Sequence, residues 1–195
     1  MDAAIADVVS VARAPFLTAA HLGPHPLLAE ALHARLADVG LARAARVGRI
    51  SIVTAADGVI VGAAGEDDAI EGAGVVAVLL ASRLTMPVAA ASLTDPASIK
   101  DAANRLRGAG VARVALAPCM IGPELTAGTL DAVAALTSTD SAPPQGSHPA
   151  VAQLVAIRYG AALADPKVAS LVAEARGEPP TSPLPAAVPP SGAAT

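Results

Sequence analysis

The sequence predicts an α/β protein: a doubly wound parallel sheet of about four strands with helices on both faces. Three observations carry that expectation. From Val59 onward, short apolar runs alternate with longer stretches of helical periodicity, the order that gives parallel strands joined by right-handed crossovers. Helix ends are punctuated as they should be: Asp95-Pro96 supplies an N-cap and a first-turn proline, and Gly108 and Gly110 a stop. The 195 residues are 53% hydrophobic and 15% charged, enough for one core and too few for two full-sized domains.

Taken in order, residues 3–11 carry Ile5, Val8, Val9 and Val11 in a weak helical pattern, and 14–20 read as a short strand. Gly23-Pro24-His25-Pro26 then leads into Leu28, Leu32 and Leu36, spaced for a helix over about 26–39, with Pro26 in its first turn and Gly40 as its stop. Residues 41–57, with Arg43, Arg46 and Arg49 among alanines, fit a helix extension, an added strand or a linker. The regular part follows: strand 59–63, helix 68–84, strand 88–93, helix 96–107, strand 111–117. A loop through Pro118-Cys119-Met120-Ile121-Gly122-Pro123 precedes a helix over about 124–136. Residues 137–145 make at best a poor edge strand, and Gly146-Ser147-His148-Pro149 opens a last helix through Val151, Leu154, Val155 and Tyr159.

Composition narrows the function classes. Aromatics are 1% of the chain, and the net charge is −4, so neither base stacking nor phosphate neutralisation has the residues it needs, and nucleic acid is not an expected partner. No apolar run is long enough to span a membrane, and residues 1–7 lack the basic start of a signal peptide. Cys119 is the only cysteine, which removes intrachain disulfides and points to a reducing compartment, the cytoplasm.

An internal echo organises the rest. Gly-x-His-Pro occurs at 23–26 and again at 146–149, each time after a linking segment and before an apolar helix. Duplication of an α/β unit is the expectation: 1–40 the tail of a first half, 41–58 a linker, 59–164 a complete second half, and 165–195 a Pro/Ala-rich tail unable to offset its ordering entropy.

On these residues the chain resembles the CbiX-type sirohydrochlorin chelatases, class II enzymes that insert cobalt or iron into a tetrapyrrole on the way to cobalamin or siroheme. The anchors are Leu22-Gly23-Pro24-His25-Pro26-Leu27-Leu28-Ala29, Ala63-Ala64-Gly65, the run from Val114 to Pro123, and Gly146-Ser147-His148-Pro149-Ala150-Val151-Ala152. Together they span about residues 18–162, and their order is more specific than any one motif. The resemblance implies a chelatase-like fold, often built as two halves, and Co2+ or Fe2+ as the substrate metal rather than a tightly held cofactor. It also implies imidazoles that take pyrrole protons and ligate the entering ion. Mapped onto this chain, those imidazole positions are Ala64 and approximately Thr126, so the resemblance implies a degenerate half. Such a half would bind a tetrapyrrole, or assemble as a homodimer or with a chain completing the first half.

The candidate site residues follow from the strand ends. Gly65, Glu66 and Glu124 are candidates for the substrate rim, and His25 and His148 for metal ligation. Each has a plainer alternative. Glu66, Asp67 and Asp68 suit a helix N-terminus, and His25 and His148 precede first-turn prolines where a capping role is natural. Cys119 fits either a soft-metal ligand or a small buried hydrophobe. Pro24 and Pro26 break any helical pairing of His21 with His25, His33 is expected on a helix surface, and Gly62 and Gly65 do not complete a dinucleotide fingerprint.

Overall fold

The computed structural model describes residues 18–43, 55–65, 67–166, 168 and 170. The expected elements over 3–11, the first part of that over 14–20, Glu66, and most of the 165–195 tail lie outside the described residues; Thr18, Ala19 and Ala20 are not in a strand. Residues 21–157 form one compact unit, and residues 158 onward belong with 1–20 to another, so the first unit is described by itself.

Among the described residues the order is α1 (Pro26–Asp38), β1 (Gly58–Ala63), α2 (Asp67–Leu84), β2 (Val88–Ser92), α3 (Pro96–Gly108), β3 (Val114–Pro118), α4 (Ala127–Thr137), β4 (Asp140–Ser141) and α5 (Pro149–Leu163). The four strands form one parallel sheet in the order β2-β1-β3-β4, as the alternation predicts. Val61 sits between Ala90 on one side and Ala117 on the other. Every residue of β1 and β3 is buried, which is why both read as unbroken apolar runs instead of alternating ones.

Successive side chains of a strand point to opposite faces, and the core divides accordingly. Val59, Val61 and Ala63 pack with Ala115 and Ala117 under Leu32 and Leu36 of α1, Val76 and Leu80 of α2, and Val151 and Leu154 of α5. Ile60 and Leu116 pack on the other side with Ile99 and Leu106 of α3 and Leu130 and Val133 of α4. Helices therefore cover both faces, as expected. With almost no aromatic volume, both layers are filled by Ala, Val, Leu and Ile at close spacing.

Three boundaries and one side chain differ from the sequence expectation. β3 starts at Val114 and not at Val111, because Val111 N–H donates to Leu106 O in the Schellman turn that ends α3, with Gly110 at φ +92°. The Ala112 and Arg113 N–H groups then donate to the Asp57 carboxylate, at 3.3 and 2.6 Å, so this segment is a turn bound to Asp57. α4 starts at Ala127, since Thr126 caps it, its Oγ1 accepting from Thr129 N–H at 3.2 Å. The poor edge strand shrinks to Asp140 and Ser141. His33 is buried, 7% exposed, instead of on the surface; its Nε2 lies 2.6 Å from the Arg43 carbonyl, while its Nδ1 is buried without a hydrogen-bond partner.

α1 joins the sheet through specific bonds as well as packing. Glu30 pairs with Arg83 of α2 at 3.6 Å. Arg35 donates from Nε and Nη2 to the Gln145 carbonyl, at 3.2 and 2.9 Å. The fully buried Gln145 side chain donates from Nε2 to Leu28 O at 2.9 Å. Gln145 N–H donates to Met120 O at 3.0 Å, so this one residue ties α1, the β3 exit and the turn before α5 together.

Candidate functional site at the strand ends

In an open parallel sheet the ligand crevice lies beyond the carboxyl ends of neighbouring strands whose connections leave in opposite directions. Here that place is between β1 and β3. From β1 the chain turns through α2 toward β2 on one side, and from β3 it turns through α4 toward β4 on the other. Ala63-Ala64-Gly65 forms one wall of the crevice and the loop from Cys119 to Thr126 the other. The floor is held by backbone bonds from Cys119 N–H to Gly62 O, 2.7 Å, and from Leu93 N–H to Ala63 O, 2.8 Å.

Gly65 is exposed and has φ +140°, a conformation other residues rarely adopt, and a Cβ there would come within 2.9 Å of the Ala69 Cβ. The turn thus keeps the backbone bare where a ligand would approach. Ala64 is half-buried, a small apolar group with no proton to give or take. Glu66 lies outside the described residues.

On the opposite wall, Glu124 is exposed and already engaged: its Oε1 accepts from Ile121 N–H and Gly122 N–H, both at 3.2 Å. One carboxylate oxygen shapes the loop and the other remains open to a ligand. Thr126 is committed as the α4 N-cap. The Cys119 thiol is pushed up to about 11, chiefly by burial and secondarily by the Glu124 charge, so at neutral pH it is a protonated, half-buried group and not a thiolate.

His25 and His148 mark the starts of α1 and α5. His25 Nδ1 accepts from Leu27 N–H at 3.2 Å, and His148 Nδ1 accepts from Ala150 N–H at 3.2 Å. Both are half-buried, and the two Gly-x-His-Pro turns share a positive φ at glycine, +34° at Gly23 and +56° at Gly146. Because β4 exits at the same edge of the sheet as β1 and β3, His148 lies on the crevice side of the molecule. The Gln145 bonds to Leu28 and Met120 bring the start of α1 to that edge too. With Nδ1 accepting, the ring proton sits on Nε2. Metal ligation through Nε2 requires that proton to leave or move, and moving it to Nδ1 breaks the cap.

His21 is exposed and folds over Gly23, and Pro24 packs at 3.9 Å from the Cβ position of Gly72 on α2, so His21 and His25 are not on one helix. Among the described residues there is no group of three or more His, Cys, Asp or Glu placed to hold a metal ion.

This architecture has solved counterparts. The chain superimposes on the sirohydrochlorin chelatase SirB from Bacillus subtilis subspecies spizizenii in complex with cobalt, with a TM-score of 0.55 and 11% identity. It superimposes on SirB from Bacillus subtilis with Fe3+ with a TM-score of 0.56 and 14% identity. The fold is that of the sirohydrochlorin chelatases. The matches cover 85% of this chain and 62% and 65% of the chelatase chains, so it spans less than two thirds of their length. No protein-family model matches the sequence, and no curated protein matches it either.

Sequence reasoning missed two side chains that set this geometry, Gln145 and Arg35. Neither carries a local signal, since their partners are more than a hundred positions away: 117 for the Gln145 bond and 110 for the Arg35 bonds. No described helix is long and apolar enough to cross a membrane.

Proposed function

We propose that the protein handles a tetrapyrrole of the sirohydrochlorin class in the β1/β3 crevice and serves insertion of Co2+ or Fe2+, as a CbiX-type chelatase (a lyase) of cobalamin or siroheme biosynthesis in the cytoplasm. The observation that carries this is the strand-order reversal between β1 and β3, where such sheets bind ligands, in a fold shared with chelatases solved with cobalt and with Fe3+. In this scheme Gly65 and the neighbouring Glu66 form the rim on one side. Glu124 forms it on the other, offering the carboxylate oxygen its loop leaves open. His25 and His148 are the imidazoles on the crevice edge able to deliver the ion. Insertion releases two pyrrole protons as the divalent ion enters, and an imidazole that gives up its cap can receive one. The lone cysteine supports the reducing location.

The test is direct insertion of Co2+ and Fe2+ into sirohydrochlorin, followed by absorbance, with the full chain and with His25→Asn plus His148→Asn. Turnover that falls in the double variant supports the assignment, and turnover that survives it removes both histidines from the role.

A second reading is favoured by Ala64 and Thr126. They occupy the places where the resemblance puts the family's imidazoles, and one has no donor while the other is bound in a cap. Here 59–164 is a complete but degenerate half, 1–40 the end of a first half joined by 41–58, and the module binds tetrapyrrole without turnover or works as a homodimer or with a partner chain. Spectral binding of sirohydrochlorin without metal insertion is its signature.

A further inference from the structure

The two Gly-x-His-Pro turns meet at one buried side chain. Gln145 is 1% exposed, and its Nε2 donates to Leu28 O at 2.9 Å in the first turn of α1. Leu28 N–H in turn donates to His25 O at 3.0 Å. On the other side, His148 N–H donates to the Gln145 carbonyl at 3.3 Å, and Val151 N–H donates to His148 O at 2.9 Å. Arg35 holds that same carbonyl from α1, through Nε and Nη2. A continuous run of hydrogen bonds therefore joins His25 to His148 through Leu28 and Gln145, all within the unit of residues 21–157.

Each histidine cap has two positions. Closed, its Nδ1 accepts from the N–H two residues on, Leu27 or Ala150. An ion taken on Nδ1 opens the cap directly, and an ion taken on Nε2 opens it when the ring proton moves across. Loss of a cap loosens the first turn it holds. In α1 that turn carries Leu28 O, the acceptor of the buried Gln145 amide, and a buried donor that loses its acceptor is costly. Gln145 follows the turn, and its carbonyl takes the His148 N–H with it.

We infer that Gln145 is a positioning residue that couples the two caps, so that opening either one favours opening of the other. The coupling is reciprocal, as any equilibrium coupling between two sites is. Two imidazoles then become available together, which suits a divalent transition-metal ion that takes imidazole donors. That use rests on the delivery role proposed for His25 and His148; the coupling itself follows from the bonds.

Amide hydrogen exchange of the full chain, without metal or tetrapyrrole, reads the caps directly. His25→Ala should speed exchange of the Ala150 amide, and His148→Ala that of the Leu27 amide, each by about threefold or more, as for residues that share a partner. The Ala97 amide is the control, since it donates to Asp95 Oδ1 at 2.9 Å in the cap of α3, outside this run of bonds. Its exchange should stay within about twofold in both variants. In a Gln145→Met background both cross-effects should fall to that same level of about twofold, with Gln145→Leu as a second variant if the first does not fold. The pattern in the histidine variants decides where neither folds. An Ala150 amide untouched by His25→Ala, equal acceleration at Ala97, or cross-effects that persist in a folded Gln145 variant would each overturn the coupling. Because no tetrapyrrole is present, coupled caps beside absent insertion activity would count against the crevice assignment alone, and uncoupled caps beside active insertion against this inference alone.

Discussion

His25 and His148 hold the same bond in two different helices: each Nδ1 accepts, at 3.2 Å, from the backbone N–H two residues on, Leu27 in α1 and Ala150 in α5. The two candidates for metal ligation therefore act as N-caps, and ligation as proposed would compete with capping for the ring nitrogens. Replacement by Ala removes both roles and should cost about 1 kcal/mol per site. Asn keeps a capping oxygen and removes the imidazole, so His25→Asn and His148→Asn should each stay within about 0.5 kcal/mol of the parent in denaturant unfolding. An Asn variant as unstable as the Ala variant would show that the imidazole does more than cap.

Cys119 should behave as a buried thiol. With its thiol pushed up to about 11 by burial and the Glu124 charge, only about one molecule in a thousand carries a thiolate at pH 8. Alkylation by iodoacetamide should be slow in the folded protein and rapid in denaturant. Glu124→Gln removes the second cause while keeping an acceptor for the Ile121 and Gly122 N–H groups, so folded-state alkylation should speed up modestly. Equal rates in folded and unfolded protein would contradict the burial.

The Asp57 carboxylate contributes to the acid limb of stability. Hydrogen bonds from the Arg113 and Ala112 N–H groups hold it below the ordinary carboxylate value of 3.8, with Arg113 the larger cause. A depressed folded value means that the stabilisation is present above the unfolded value and is lost as pH falls through the folded one. Unfolding free energy should therefore drop below about pH 4, and Asp57→Asn should flatten that drop while lowering stability at pH 7. An identical acid limb in the variant would remove Asp57 from it.

The α1 layer makes a prediction of magnitude. Leu32 and Leu36 are fully buried against the sheet face, and truncating either to Ala should cost about 2–5 kcal/mol. Arg35→Met keeps much of the apolar stem but removes the donors to Gln145 O and should cost about 1.5–3 kcal/mol, the range for a hydrogen bond to a charged group. Urea midpoints would check both.

What the sequence showed and what it hid have physical causes. α1 and α3 were legible because caps, first-turn prolines and glycine stops are local. Asp95 takes Ala97 and Ser98 N–H as its sequence position suggests, and Gly110 closes the far end. The late start of α4 was hidden because Glu124 reads as a helix former, yet its carboxylate bonds backward to the loop. His33 was misplaced because its partner, the Arg43 carbonyl, arrives from a segment with no regular pattern. The ends of β1 and β3, at Ala63 and Pro118, lie where the sequence placed them, next to the expected cleft segments Ala64–Asp68 and Pro118–Glu124. The chemistry of the cleft was less legible, because His25 and His148 carry the same residue type whether they cap or ligate.

The crevice is tested most directly by titrating sirohydrochlorin, without metal, into the full chain and following its visible absorbance, in parallel with Gly65→Val. The melting temperature of the variant serves as a folding control. The proposed function predicts a saturable one-to-one spectral change for the parent and weaker binding by at least about tenfold when a side chain fills the turn at Gly65. No spectral change with the folded parent, or equal binding by a folded Gly65→Val protein, would contradict placement of a tetrapyrrole at the β1/β3 strand ends.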